Sequence, residues 1–415
     1  MTRPRTFSPW LYIPTLYFIE GLPYIIVNTV SIYYFKRLGL SNQFIGLTSL
    51  LMLPWVLKLF WAPLLDAAGT KRGWVVLMQA VLGFCLLSAA LMTRMSLILP
   101  FVLISLFAAA FFSATHDAAA DGYYLLALQA KQQALFAGIR STAYRIAMIA
   151  GGALAALAGI LERKMGDPLQ SWATTFTFTA AVFFIAAIFH HWALPRVELG
   201  QGQSQPKIKL YGDAFRTYFR QPKIVAVIAF ILLYRLGEAL LTRMAAPFLL
   251  DAREAGGLGL STATASLLRD VLGQGGLIIG GIAGGWLVAK FGLRRCILPM
   301  ALALNLPDLG YWYLAKVQPG LPITAVIVIL EQFGYGIGFT AFMIFLMTVA
   351  FDPYKTSHYA VSTGLMALGM MLPGTISGYL QNALGYERFF LLATLLTVPG
   401  MILLRFIPLP KGESL

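Results

Sequence analysis

The chain has 415 residues, of which 59% are hydrophobic and only 12% charged, and it carries a formal charge of +14; its mean hydropathy is +0.75. Soluble domains average about 25% charged residues, so this chain has too few to cover a water-facing surface, and the composition excludes a soluble enzyme. Runs without Asp, Glu, Lys or Arg, such as 73–93, 170–195 and 356–386, reach or exceed the roughly 20 residues of a spanning helix and do not alternate in polarity as barrel strands do.

In chain order, twelve helical spans are predicted at 10–35, 42–63, 73–93, 97–127, 133–160, 171–194, 222–250, 259–289, 296–315, 320–350, 356–382 and 388–407. The expected architecture is an all-α polytopic membrane protein of two six-helix bundles, 1–194 and 222–415. A polar cytoplasmic linker, 195–221, joins them. A charge at bilayer depth costs at least ~2.5–3.5 kcal/mol, so ionisable residues within these spans are expected to face a cavity and serve function.

Span one carries Glu20-Gly21-Leu22-Pro23 and then Tyr24. Gly and Pro weaken a helix and free its carbonyls, which would set Glu20 beside polar backbone. It then either locks two helices as an ion pair or handles solute or proton. Span two holds one cation, Lys58. In span four, His116 is followed by Asp117 and Asp121, which at i and i+4 share one face. Unpaired, two such carboxylates would make a protonatable site. Span five brings Arg140, Tyr144 and Arg145 to a similar depth, so an Asp–Arg network between spans four and five is expected as a gate, a proton relay or helix glue.

Span seven has Arg235 and Glu238 at i and i+3, spaced for an intrahelical pair, with Arg243 beyond. In span eight, the neighbours Arg269 and Asp270 are expected to point in different directions. Arg269 would then suit an anionic solute through bidentate hydrogen bonds. Asp308 in span nine and Glu331 in span ten are single carboxylates that could each carry a proton.

An even number of spans puts both termini on one side. The loops on that side hold seventeen Lys and Arg against eight opposite, which makes the termini cytoplasmic. The positive charge therefore reads as a topology signal that also attracts anionic lipid, and not as a nucleic-acid footprint. Cys85 and Cys296 lie in or at the end of apolar spans without metal or redox spacing and read as small hydrophobes. There is no HExxH, glycine-rich phosphate loop or nucleophile elbow, so no metal or cofactor is expected. The competing class is a membrane-embedded enzyme acting on lipid or cell-wall precursors, for which His116-Asp117 is the nearest candidate.

Asp66-Ala67-Ala68-Gly69-Thr70-Lys71-Arg72 follows span two, and Ala289-Lys290-Phe291-Gly292-Leu293-Arg294-Arg295 follows span eight, at a constant offset of 223. Glycine permits the positive φ of a sharp helix-to-helix turn, and the cations suit the helix ends. This pair resembles the loop signature of the major facilitator superfamily, with Ala289 where the first copy has Asp66. The resemblance implies a monomer in which two bundles rock about a central site. It also marks Asp66, Gly69, Lys71, Arg72, Gly292, Arg294 and Arg295 as a conformational loop.

Three further stretches are similar to the branch that holds AmpG-type muropeptide permeases and acetyl-CoA transporters. They are Tyr17-Phe18-Ile19-Glu20-Gly21-Leu22-Pro23-Tyr24, Pro54-Trp55-Val56-Leu57-Lys58 with Trp61-Ala62-Pro63-Leu64-Leu65-Asp66, and Ala114-Thr115-His116-Asp117-Ala118-Ala119-Ala120-Asp121-Gly122. His116 stands where Gln is usual. Tyr234-Arg235-Leu236-Gly237-Glu238-Ala239 resembles the branch's seventh span more loosely. The branch implies proton-coupled import of a bulky anion, such as an anhydro-muropeptide, through a bacterial inner membrane; siderophores and acyl-CoA are the alternatives. We assign Asp117, Asp121, Glu20, His116, Glu331 and Asp308 to proton coupling or gating. Solute binding falls to Arg145, Arg140, Arg235, Glu238, Arg269, Tyr24 and Tyr144.

Overall fold

A computed structural model describes residues 7–62, 65, 69–95, 99–197, 208–351 and 354–409. Among these residues every regular element is helical. Nine helices among the described residues are long and apolar enough to cross a membrane, and the last of them, Ser357–Leu403, covers predicted spans eleven and twelve. The break between those two falls at Gly385, where φ is +71°.

Predicted spans two and nine are helices broken into short segments. Span two runs as Asn42–Leu47, a 3₁₀ turn Thr48–Met52, and Leu53–Trp61. Pro54 follows that turn and has no N–H to continue the ladder. Span nine runs as Leu293–Asn305, a 3₁₀ turn Leu306–Asp308 containing Pro307, and Leu309–Val317. Span one stays α-helical through Gly21 and Pro23 and turns π-helical at Ile26–Val30. Span eight has a π segment at Leu267–Leu272, and span seven is interrupted between Ile224–Leu233 and Leu236–Leu250. Such interruptions recur at functional sites, and here Arg235, Arg269, Asp270 and Asp308 all sit on them.

By internal contacts the chain divides into two units, Met1–Tyr34 with Leu57–Lys207, and Phe35–Val56 with Ile208–Leu415. In the first unit, span three (Lys71–Arg94) packs on spans four (Leu99–Ala127) and six (Pro168–Ala193), and span one packs on span five (Ala130–Met165). Gly21 allows that last approach, since a Cβ there would meet the Ala147 Cβ at 3.0 Å and the Tyr144 ring at 3.1 Å.

In the second unit, Gly276, Gly280 and Gly284 on span eight face Ile329, Phe333 and Ile337 on span ten (Leu321–Thr348). Both rows step by four residues, the small-residue stripe that brings membrane helices into backbone contact. Gly334 and Gly338 do the same against Ala303 and Met300 of span nine. Span ten is thus wedged between two neighbours, which fixes Glu331 and Gln332. The connection predicted as a polar linker contains a helix, Ile208–Phe219. Its Tyr218 hydroxyl bonds Ser362 at 2.8 Å.

Candidate functional site

In the first unit, spans one and four bring three carboxylates, and spans two and five bring two cations, to one place. Lys58 pairs with Asp117. Arg140 pairs with Asp121 at 2.9 Å, and the Tyr17 hydroxyl donates to the same oxygen, also at 2.9 Å. The Arg140 guanidinium lies over the rings of Tyr17 and Tyr124, 4.4 and 5.2 Å from their centroids. Glu20 is buried within hydrogen-bonding reach of Asp117, and its Oε2 has no partner. The expected network between spans four and five therefore forms, extended by spans one and two. The Asp121 side chain keeps 44% of its exposure, so the cluster is not sealed. Tyr24 and Tyr144 form a ring pair 6.5 Å apart, beside the Gly21 contact. Arg145 is half-buried in the same span.

His116 is fully buried and bonds Gln79 at 2.9 Å. Gln79 continues to His190 at 2.9 Å, and His190 to Thr15 at 3.1 Å. This chain of polar contacts ties spans four, three, six and one together.

In the second unit, Arg235, Glu238, Arg243, Arg269, Asp270, Asp308 and Glu331 are all buried. Two expectations about them are corrected. Arg269 and Asp270 do pair, at 2.7 Å. The π segment spreads successive residues over a wider turn, so neighbours diverge less than on an α-helix, and the long arginine reaches back. Arg235 does not turn to Glu238. It sits at the break in span seven, with its φ at −110°, and donates to the Tyr335 hydroxyl while stacking over Tyr335 and Phe339. Its Nε has no partner. Glu238 accepts instead from Thr242 at 2.6 Å.

Gly69 and Gly292 both have φ +78°, so each repeat turns through the left-handed region that favours glycine. Lys71 is buried with its stem over Gly122 of span four, and Arg72 caps the end of span six through the carbonyls of Leu194, at 2.9 Å, and His191. Arg294 and Arg295 are exposed. Asp66 lies outside the described residues.

Lys58, expected as an intramembrane cation without a named partner, completes the first cluster together with Tyr17 and Tyr124. Tyr124, Thr242, Tyr335 and Tyr311 had no role assigned from the sequence. A further network in the second unit joins Lys36 to Asp251 at 2.6 Å. Asn42 adds bonds to Gln381 at 2.7 Å and Tyr386 at 2.8 Å. Glu20, Lys58 and Asp117 all fall within the three stretches that carry the family resemblance, and that was the available signal for Lys58.

The sequence pattern of the Major Facilitator Superfamily matches residues 15–378. An uncharacterized protein of Haemophilus influenzae is 29% identical over 416 residues, covering 96% of this chain and 94% of the relative. The anhydromuropeptide permease of Escherichia coli is 25% identical over 400 residues, covering 93% of this chain and 77% of that protein. Among solved structures, the nucleoside transporter NupG superposes with a TM-score of 0.75 at 16% identity, covering 97% of this chain and all of that one, which speaks to the fold alone. On the match across most of its length, the chain belongs to the major facilitator superfamily and is a multi-pass membrane transporter.

Proposed function

We propose that this transporter imports an anionic, muropeptide-like solute across the bacterial inner membrane by proton symport with alternating access. The observation that carries the reading is the first-unit cluster. Three carboxyls, Glu20, Asp117 and Asp121, share two cations, Lys58 and Arg140. One carboxyl is left without a cation of its own, and the cluster is not sealed. A proton is the smallest charge that fills this gap. Delivered to the Glu20–Asp117 pair, it would remove their repulsion and loosen the hold of Asp117 on Lys58. Proton binding would thus be coupled to a rearrangement of spans one, two and four.

Arg235 supports the anionic solute. Its guanidinium is buried, presented on aromatic rings and only partly satisfied, which suits a carboxylate or a similar planar anion. The excess of Lys and Arg on the terminal side supports cytoplasmic termini. The muropeptide reading leans on the printed name of the E. coli relative.

The test is uptake of labelled anhydro-muropeptide by proteoliposomes of the purified protein, with and without an inward proton gradient. Accumulation that depends on the gradient is expected. No uptake by folded protein would reject the muropeptide, and uptake indifferent to the gradient would reject the symport.

A further inference from the structure

Glu238 of span seven, Asp308 of span nine and Glu331 of span ten each place one carboxylate oxygen within 4.8 Å of the other two. They are sealed, with exposures of 2%, 0% and 0%. Glu331 is served by the Gln332 amide at 3.0 and 3.2 Å, and one oxygen of Glu238 by Thr242. The other Glu238 oxygen and both oxygens of Asp308 meet no donor. A second observation is the Tyr311 hydroxyl, one turn beyond Asp308. It is fully buried and unpartnered, and its charged neighbours are Glu331, Arg269, Glu238 and Asp270.

Three ionised carboxylates cannot stay buried together without positive charge. The buried acids of this unit, among the described residues, are Glu238, Asp270, Asp308 and Glu331, against Arg235, Arg243 and Arg269. One negative charge remains. Arg235 and Arg269 lie near enough to offset Glu238 and Glu331 in part, but the charged neighbours of Asp308 are the two glutamates alone.

We propose that Glu238, Asp308 and Glu331, with the Tyr311 hydroxyl as a neutral ligand, form a binding site for one sodium-sized monovalent cation. The donors are all oxygen, which favours a hard cation over the softer zinc and copper. Oxygens that all lie within 4.8 Å of one another can meet one cation at about 2.3–2.6 Å, and a sealed pocket disfavours magnesium, which keeps several of its waters. The single uncompensated charge selects a monovalent ion. A bound cation would tie spans seven, nine and ten together. The inference stands apart from proton coupling in the first unit, because binding can be read without transport.

The test uses the full-length protein in detergent. It measures equilibrium binding of radioactive sodium, and thermal unfolding in sodium chloride against choline chloride at equal ionic strength. Saturable binding of one sodium per chain and a sodium-specific rise in unfolding temperature are expected. Both should be lost in Glu331→Gln and Asp308→Asn and retained in Asp117→Asn. Glu238→Gln serves if either triad variant fails to fold. Equal unfolding temperatures in the two salts would mean that protons alone occupy the triad and would overturn the proposal. So would preferential binding of calcium, or sodium binding that survives the triad variants.

Discussion

In the first unit Asp117 and Asp121 each meet a cation, in a partly exposed cluster. In the second, Asp308 meets no donor at all, and it shares a sealed pocket with Glu238 and Glu331. The same side-chain chemistry therefore carries opposite liabilities. Neutralising a carboxylate in the first cluster strands a cation, whereas neutralising one in the second relieves repulsion. A paired and partly exposed cluster is suited to exchanging partners during a cycle. An unpaired and dry one needs an external charge to be stable.

The largest effect expected is on transport. Asp117→Asn keeps the shape of the side chain but removes the charge that holds Lys58, and uphill uptake should be abolished in protein that still inserts and folds. A variant that accumulates solute against its gradient would take Asp117 out of the mechanism, and with it the contrast between the two clusters.

Next in size is the packing that holds Glu331 in place. A side chain at Gly280 would run into the Phe333 backbone, whereas Gly285 on the same helix faces open space. Overpacking of this kind costs about 1–3 kcal/mol, and Gly280→Leu should lie at the upper end, with Gly285→Leu near zero. Thermal unfolding of the two variants measures the difference. Equal losses would mean that the glycine stripe does not position span ten.

The extent to which these features could be read in advance follows from the range of the interactions. Most of the spans were legible because about 20 apolar residues are a local property, whereas the broken spans two and nine are not among the nine membrane-length helices of the described residues. That Asp117 and Asp121 share a face was legible from helical spacing. The partner of Asp117 was not, because Lys58 lies 59 residues away and only packing decides that the two meet. Arg269 and Asp270 were misread because the rule used assumed an α-helix, and a π segment cannot be seen in composition. His116 looked like a member of the carboxylate cluster by sequence adjacency, while its hydrogen bond goes to Gln79.

A smaller effect separates the clusters by sign. In sodium-free buffer, Asp117→Asn should lower stability by about 1–3 kcal/mol through loss of a charged hydrogen bond. Glu331→Gln should raise it by about 1 kcal/mol, since one unit of proton affinity is worth ~1.4 kcal/mol. Denaturant or thermal unfolding followed by tryptophan fluorescence reads both. Destabilisation by Glu331→Gln would show that the triad is held by contacts stronger than its repulsion, and the argument from unpaired charge would fail.

The smallest effects concern the two repeat turns, where the halves resemble each other most. Gly69 and Gly292 share φ +78°, and a Cβ in the left-handed region costs about 1–2 kcal/mol. Gly292 also has ψ 149°, close to a region that only glycine adopts freely, and its surroundings are open. The penalty of Gly292→Ala is therefore purely conformational and should equal or exceed that of Gly69→Ala. If both variants fold stably yet slow uptake to a similar degree, the two turns act as equivalent hinges. If only one slows it, the repeat is a relic of shared architecture, and the transport cycle bends at one end alone.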